Sequence, residues 1–104
     1  MIRKTFVMYV NPDCHQIYEQ RHNELWQGMK DVLKEHGGHN YSIHLFAEQN
    51  LLFGYVEIEN EAQWEAVSET AICREWWDYM QDVMATNSDH SPISKPLKEV
   101  FYLK

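Results

Sequence analysis

At 104 residues, 44% hydrophobic and 13% aromatic, the chain has the length of one domain (residues 1–104) and enough apolar content for a packed core, which excludes disorder. Its net charge of −7 excludes the basic patches that nucleic acid and anionic membrane surfaces select. No segment has the apolar length of a membrane span, the N-terminus lacks the apolar run of a signal peptide, and Cys14 and Cys73 fit neither a disulfide framework nor a zinc spacing. A cytoplasmic protein with free thiols is expected.

Residues 2–10, rich in β-branched and aromatic side chains, predict a first strand. Asn11 suits a helix N-cap, Pro12 the first helical position and Asp13 the positive end of the dipole, so a long helix is predicted up to about residue 36. Gly37-Gly38 stops it by offering a left-handed cap. Residues 40–46 and 51–59 read as a hairpin around the turn 47–50. Asn60 with Gln63 forms a capping pattern for a short helix through about Ser68. A second helical stretch after Thr70 places Ile72, Trp76, Tyr79, Met80 and Val83 within one arc. Residues 87–96, with serines, an aspartate and two prolines, predict a loop, and a closing strand runs from 97 or 98 to 103.

Strand, helix, strand, strand, helix, strand is the split β-α-β order of an α+β, ferredoxin-like sandwich, with an antiparallel sheet and both helices on one face. A sheet wet on one side alternates apolar and polar residues. Here Phe6, Met8 and Val10 alternate with Val7 and Tyr9, and Leu52, Val56 and Ile58 with Leu51, Phe53 and Tyr55. Both faces are apolar and the helices cover one, so a homodimer packed through its sheets, of the dimeric α/β-barrel type, is expected.

Within the first helix, Tyr18 and His22 are one turn apart on the same arc as Leu25, Met29, Val32 and Leu33. Glu19, Gln20, Asn23, Glu24 and Lys30 lie opposite. A histidine satisfied by a local hydrogen bond is the ordinary explanation for such a position. Yet leucine would fill a core more cheaply than two polar tips, each needing a partner. Trp76 shares its helix's apolar arc, whereas Trp77 turns about 100° away and either packs under the following loop or walls a cleft. Tyr41 opens the second strand on the face of Ile43 and Leu45. Flat aromatic faces beside polar groups suit a sugar, which presents C–H patches and hydroxyls together. His36 and His39 straddle a helix stop and bring no third ligand, so no metal site is expected; His15 and His90 read as surface residues.

KTFVMYVNPD at the start, RHNELW around His22, GGHNYSIHL around Tyr41, NLLFGYVEIE, CREWWDYMQDVM, NSDHSP and the closing EVFYLK together resemble the L-rhamnose mutarotase family over essentially the whole chain. The resemblance implies a dimeric ferredoxin-like fold and interconversion of the α and β anomers of L-rhamnose. It also implies His22 as proton donor, with Tyr18, Tyr41, Trp76 and Trp77 contacting the sugar. Opening and reclosing a pyranose needs only proton transfers, so no cofactor is expected. On residue chemistry alone two other classes stay open. One is a cofactor-free or haem-handling monooxygenase of similar fold, and the other a dimer that binds a ligand without turnover.

Overall fold

The computed structural model describes all of residues 1–104. The chain folds as β1 (Ile2–Tyr9), α1 (His15–Asn23), α2 (Gln27–Glu35), β2 (Gly38–Phe46), β3 (Leu51–Ile58), α3 (Glu61–Glu65), α4 (Ala71–Met80) and β4 (Lys95–Pro96). The sheet is antiparallel with order β2-β3-β1-β4, the ferredoxin-like arrangement that the alternation of elements predicts. Register fixes which side chains meet the helices. Phe6 pairs with Gly54 and Met8 with Leu52, so Leu52, Val56 and Ile58 of β3 turn inward with Met8 and Val10. There Met8, Val10 and Leu52 pack with Tyr18, Met29, Val32, Cys73, Trp76 and Met80 from the helices, and Val56 and Ile58 are fully buried. Val7, Tyr9, Leu51, Phe53 and Tyr55 alternate onto the other side and are half-buried at most.

Several local signals act as read. Gly37 follows α2 at φ 81°, the left-handed backbone that glycine adopts at least cost. The Asn60 side chain accepts the Gln63 N–H at 2.9 Å and the Thr70 side chain accepts from Cys73, capping α3 and α4. Gln63 does not complete a capping box; its amide donates to the Glu35 carbonyl at 3.1 Å, tying α3 to the end of α2.

Three expectations fail for identifiable reasons. The long first helix is two helices. It starts at His15, because Asn11 does not cap it: the Asn11 side chain donates to the Asp82 carbonyl and its N–H to the Val83 carbonyl, anchoring the exit of β1 beyond α4. It breaks at Glu24–Trp26, where Trp26 adopts ψ 138°. That extended step seats the Trp26 ring edge-on to Trp76 at 5.1 Å and stacked on Tyr79 at 5.4 Å. Packing of one indole thus overrides a run of good helix formers. The closing strand over 97–103 is absent. Only Lys95–Pro96 pairs with β1, extended by one bond from the Leu97 N–H to the Thr5 carbonyl. Beyond it the tail stays exposed, because no strand of this chain lies beside it: Val100 keeps 86% and Phe101 77% of their surface. The stretch expected to be loop therefore includes β4 and an isolated bridge between Thr86 and Pro92.

Candidate functional site

Between the inner face of the sheet and the helices lies a cavity of about 1040 Å³. Tyr18 and His22 of α1, Tyr41 of β2, and Trp76 and Trp77 of α4 all line it, so the five residues singled out in the sequence come together around one space. Arg21 fixes the angle of α1. Its guanidinium donates to both carboxylate oxygens of Asp82 and to the Tyr79 carbonyl, which ties α1 to the C-terminal end of α4. The paired Asp82 carboxyl is held below its ordinary range by that guanidinium.

His22 is gripped on three sides. Its Nδ1–H donates to the Tyr18 carbonyl one turn back at 2.9 Å, since a carbonyl oxygen can only accept. The Tyr18 ring stacks on the imidazole with centroids 4.2 Å apart, and Trp76 meets it edge-on at 5.4 Å. The neutral ring therefore carries its lone pair on Nε2, which has no protein partner. Burial lowers the His22 pKa, and the hydrogen bond to Tyr18 offsets only part of that lowering. The local hydrogen bond of a core-flanking histidine is present, but it engages only one nitrogen.

The two phenols are held in the opposite sense. Tyr18 keeps 7% of its surface, and burial raises its hydroxyl well above the ordinary value, with the nearby Tyr41 adding to the rise. Burial likewise pushes Tyr41 up to about 12, although Tyr41 keeps 39% of its surface. Both are properties of a side chain walled by protein yet facing a wide cavity. Tyr41 sits in an irregular stretch of β2, where the register shifts between His39 and Ser42 and Asn40 takes φ 50°. It packs between Phe6 at 6.1 Å and Trp64 at 6.0 Å. Gly54 makes this possible, because a Cβ there would overlap the Phe6 ring. Trp76 is 7% exposed and belongs to the core, whereas Trp77 is half-buried, with the Arg74 guanidinium 5.7 Å from its ring centre. Burial also pushes the Cys73 thiol up to about 11, so it stays protonated.

Not every histidine lies where the sequence suggests. His15 and His90, read as surface residues, both line the cavity and each has a partner. The His15 Nε2 lies 2.8 Å from Asn50 Oδ1, and the His90 Nδ1 2.7 Å from Asp78 Oδ1. Their partners are 35 and 12 residues away in sequence, a separation that periodicity does not register. His36 and His39 go to different partners, the Val32 carbonyl and the Glu59 carboxylate.

The family model for L-rhamnose mutarotase matches residues 3–103. The chain belongs to the L-rhamnose mutarotase family. An L-rhamnose mutarotase from Pectobacterium carotovorum is 57% identical over 103 residues, with 99% of each chain covered. The crystal structure of an L-rhamnose mutarotase from Formosa agariphila superposes with a TM-score of 0.92 at 38% identity, covering 100% of both chains. A putative antibiotic biosynthesis monooxygenase from Nitrosomonas europaea, 18% identical, reaches a TM-score of 0.64 over 91% of this chain and 84% of its own, and shows the fold alone.

Proposed function

We propose that this member of the L-rhamnose mutarotase family is an isomerase that interconverts the α and β anomers of L-rhamnose in the cavity beside α1, with His22 moving the proton at the ring oxygen. The observation that carries this reading is the His22 imidazole, which lines a cavity walled by aromatic rings, is fixed through Nδ1 and leaves Nε2 without a protein partner.

To change anomer, a pyranose opens and recloses on the other face of its carbonyl. Opening delivers a proton to the ring oxygen and removes one from the anomeric hydroxyl; closing reverses both transfers. The ring oxygen is a weak base, so protonating it needs a well-placed acid. Burial makes the His22 imidazolium a better acid than a free one, and the neutral imidazole left behind takes the proton back at closure. Tyr18 and Tyr41, held protonated, orient the sugar through their hydroxyls, while Trp76 and Trp77 offer flat faces to its C–H patches. The cavity volume leaves room for the freed carbonyl end to rotate. These steps need neither a cofactor nor a metal.

The second apolar face of the sheet supports a homodimer. Leu51, Phe53 and Tyr55 are flanked there by Val7 and Tyr9, and Val100, Phe101 and Leu103 of the tail add exposed apolar surface. Two unpaired thiols support a reducing compartment, the cytoplasm. Saturation-transfer NMR between the anomeric protons, over a panel of aldoses with and without the protein, tests the activity and its substrate together. Faster exchange of L-rhamnose is expected, and no acceleration for any sugar contradicts the reading. Light scattering at micromolar concentration is expected to give the mass of a dimer; a monomer contradicts the sheet-packing proposal.

A further inference from the structure

Ring opening moves two protons, and His22 accounts for one of them. We propose that His15 is the second proton-transfer residue, taking the proton of the anomeric hydroxyl as the ring opens and returning it as the ring closes. The inference rests on the reading that His22 serves the ring oxygen.

His15 begins α1, and at 100° per residue it shares one face with Tyr18 and His22, at i, i+3 and i+7. Two turns separate the two histidines, about 10.5 Å along the helix axis, with the sugar-orienting Tyr18 between them. The three side chains border the same cavity. His15 is half-buried and held from outside its own helix: Nε2–H donates to Asn50 Oδ1 at 2.8 Å. Asn50 is itself fixed. It holds left-handed backbone at φ 57° and ψ 39°, which asparagine tolerates better than most residues, and its carbonyl accepts the Val10 N–H at 3.1 Å. This grip leaves the lone pair of His15 on Nδ1, which has no protein partner. Each histidine thus has one nitrogen tied to the protein and the other free, the arrangement of an oriented acid–base group.

The other candidates fit less well. Tyr18, Tyr41 and Cys73 are all pushed upward by burial and keep their protons. Glu19 and Glu65 border the cavity, but both are exposed and no hydrogen bond holds either carboxylate. His90 approaches from the loop after α4, bound to an exposed aspartate, and lies off the α1 face that carries His22.

The step balances. The His22 imidazolium gives its Nε2 proton to the ring oxygen as the bond from that oxygen to the anomeric carbon breaks. The anomeric O–H bond breaks toward His15 Nδ1, and its electron pair forms the carbonyl. After rotation of the carbonyl end, the ring hydroxyl attacks and returns its proton to His22, while His15 reprotonates the anomeric oxygen.

Anomer exchange is measured at saturating L-rhamnose on wild type, His15→Gln, and His15→Ala with and without added imidazole, correcting for exchange catalysed by imidazole alone. Sugar affinity is measured on the same samples. The inference predicts a rate loss of about 10²-fold in both variants with affinity unchanged, and partial recovery of His15→Ala by imidazole. Exchange at the wild-type rate, or a lost rate that follows lost affinity and resists imidazole, overturns it. If wild type itself fails to accelerate exchange, the assignment of the reaction falls and this inference with it. Wild-type activity with unaffected His15 variants removes this inference alone.

Discussion

The two faces of the sheet are built from similar residues and arranged for different ends. On the helix side, Met8 and Leu52 pack with side chains of α1 and α4, and polar residues stand among them: Tyr18, His22 and Tyr41 all line one cavity. On the far side, Val7, Phe53 and Tyr55 form an open surface, and the polar groups nearby pair with one another. Tyr55 donates to Glu57 at 2.8 Å, and Arg3 makes two bonds to Glu99 while stacking over Tyr102. Apolar surface alone therefore does not mark a site. Concavity with unpartnered polar groups is where chemistry is to be sought, and flat apolar surface with paired polar groups is where association is to be sought.

The tandem tryptophans test that contrast within one helix. Trp76→Ala removes a side chain that packs against His22 and Trp26, and about 3–5 kcal/mol of stability should go with it in urea unfolding. Trp77→Ala is expected to leave stability nearly intact and to cost up to about 1.5 kcal/mol of sugar affinity, roughly tenfold. Equal destabilisation with unchanged affinity makes Trp77 a packing residue and erases the distinction between wall and core.

A smaller effect follows from the buried imidazole. The folded pKa of His22 lies below its unfolded value of about 6.5, so between the two the unfolded chain binds more protons. Stability from this group is therefore lost as pH falls through about 6.5, and melting curves of His22→Gln should show a shallower decline over that window than wild type. Identical slopes contradict the burial of His22. The smallest effect belongs to the far side. Arg3→Ala removes an exposed pair and should change stability by no more than about 1 kcal/mol, decreasing further with added salt. A larger loss means that the tail is more tightly tied to β1 than its exposure indicates.

Much of this was legible without coordinates because it is encoded locally. β-Branched and aromatic composition marked β1, Gly37 marked the end of α2, Asn60 and Thr70 marked two helix starts, and helical spacing alone put Tyr18 beside His22. What escaped is what depends on distant partners. The break at Glu24–Trp26 follows from rings on α4, not from the residues that break. The tail from Val100 to Leu103 has strand-forming composition, but pairing requires a neighbour that this chain does not supply. His15 looked like a surface residue because Asn50, which holds it at the cavity, lies across the fold. Local signals thus sufficed for the topology and for half of the pocket, and long-range packing completed the other half.

The central claim is that a histidine fixed through Nδ1 delivers protons from Nε2 into the cavity. Saturation transfer between the α and β anomeric protons of L-rhamnose, compared for wild type and His22→Gln at saturating sugar, measures it directly. The account predicts exchange reduced about 10²–10⁴-fold in the variant with binding retained. Exchange at the wild-type rate with Gln at position 22 contradicts it.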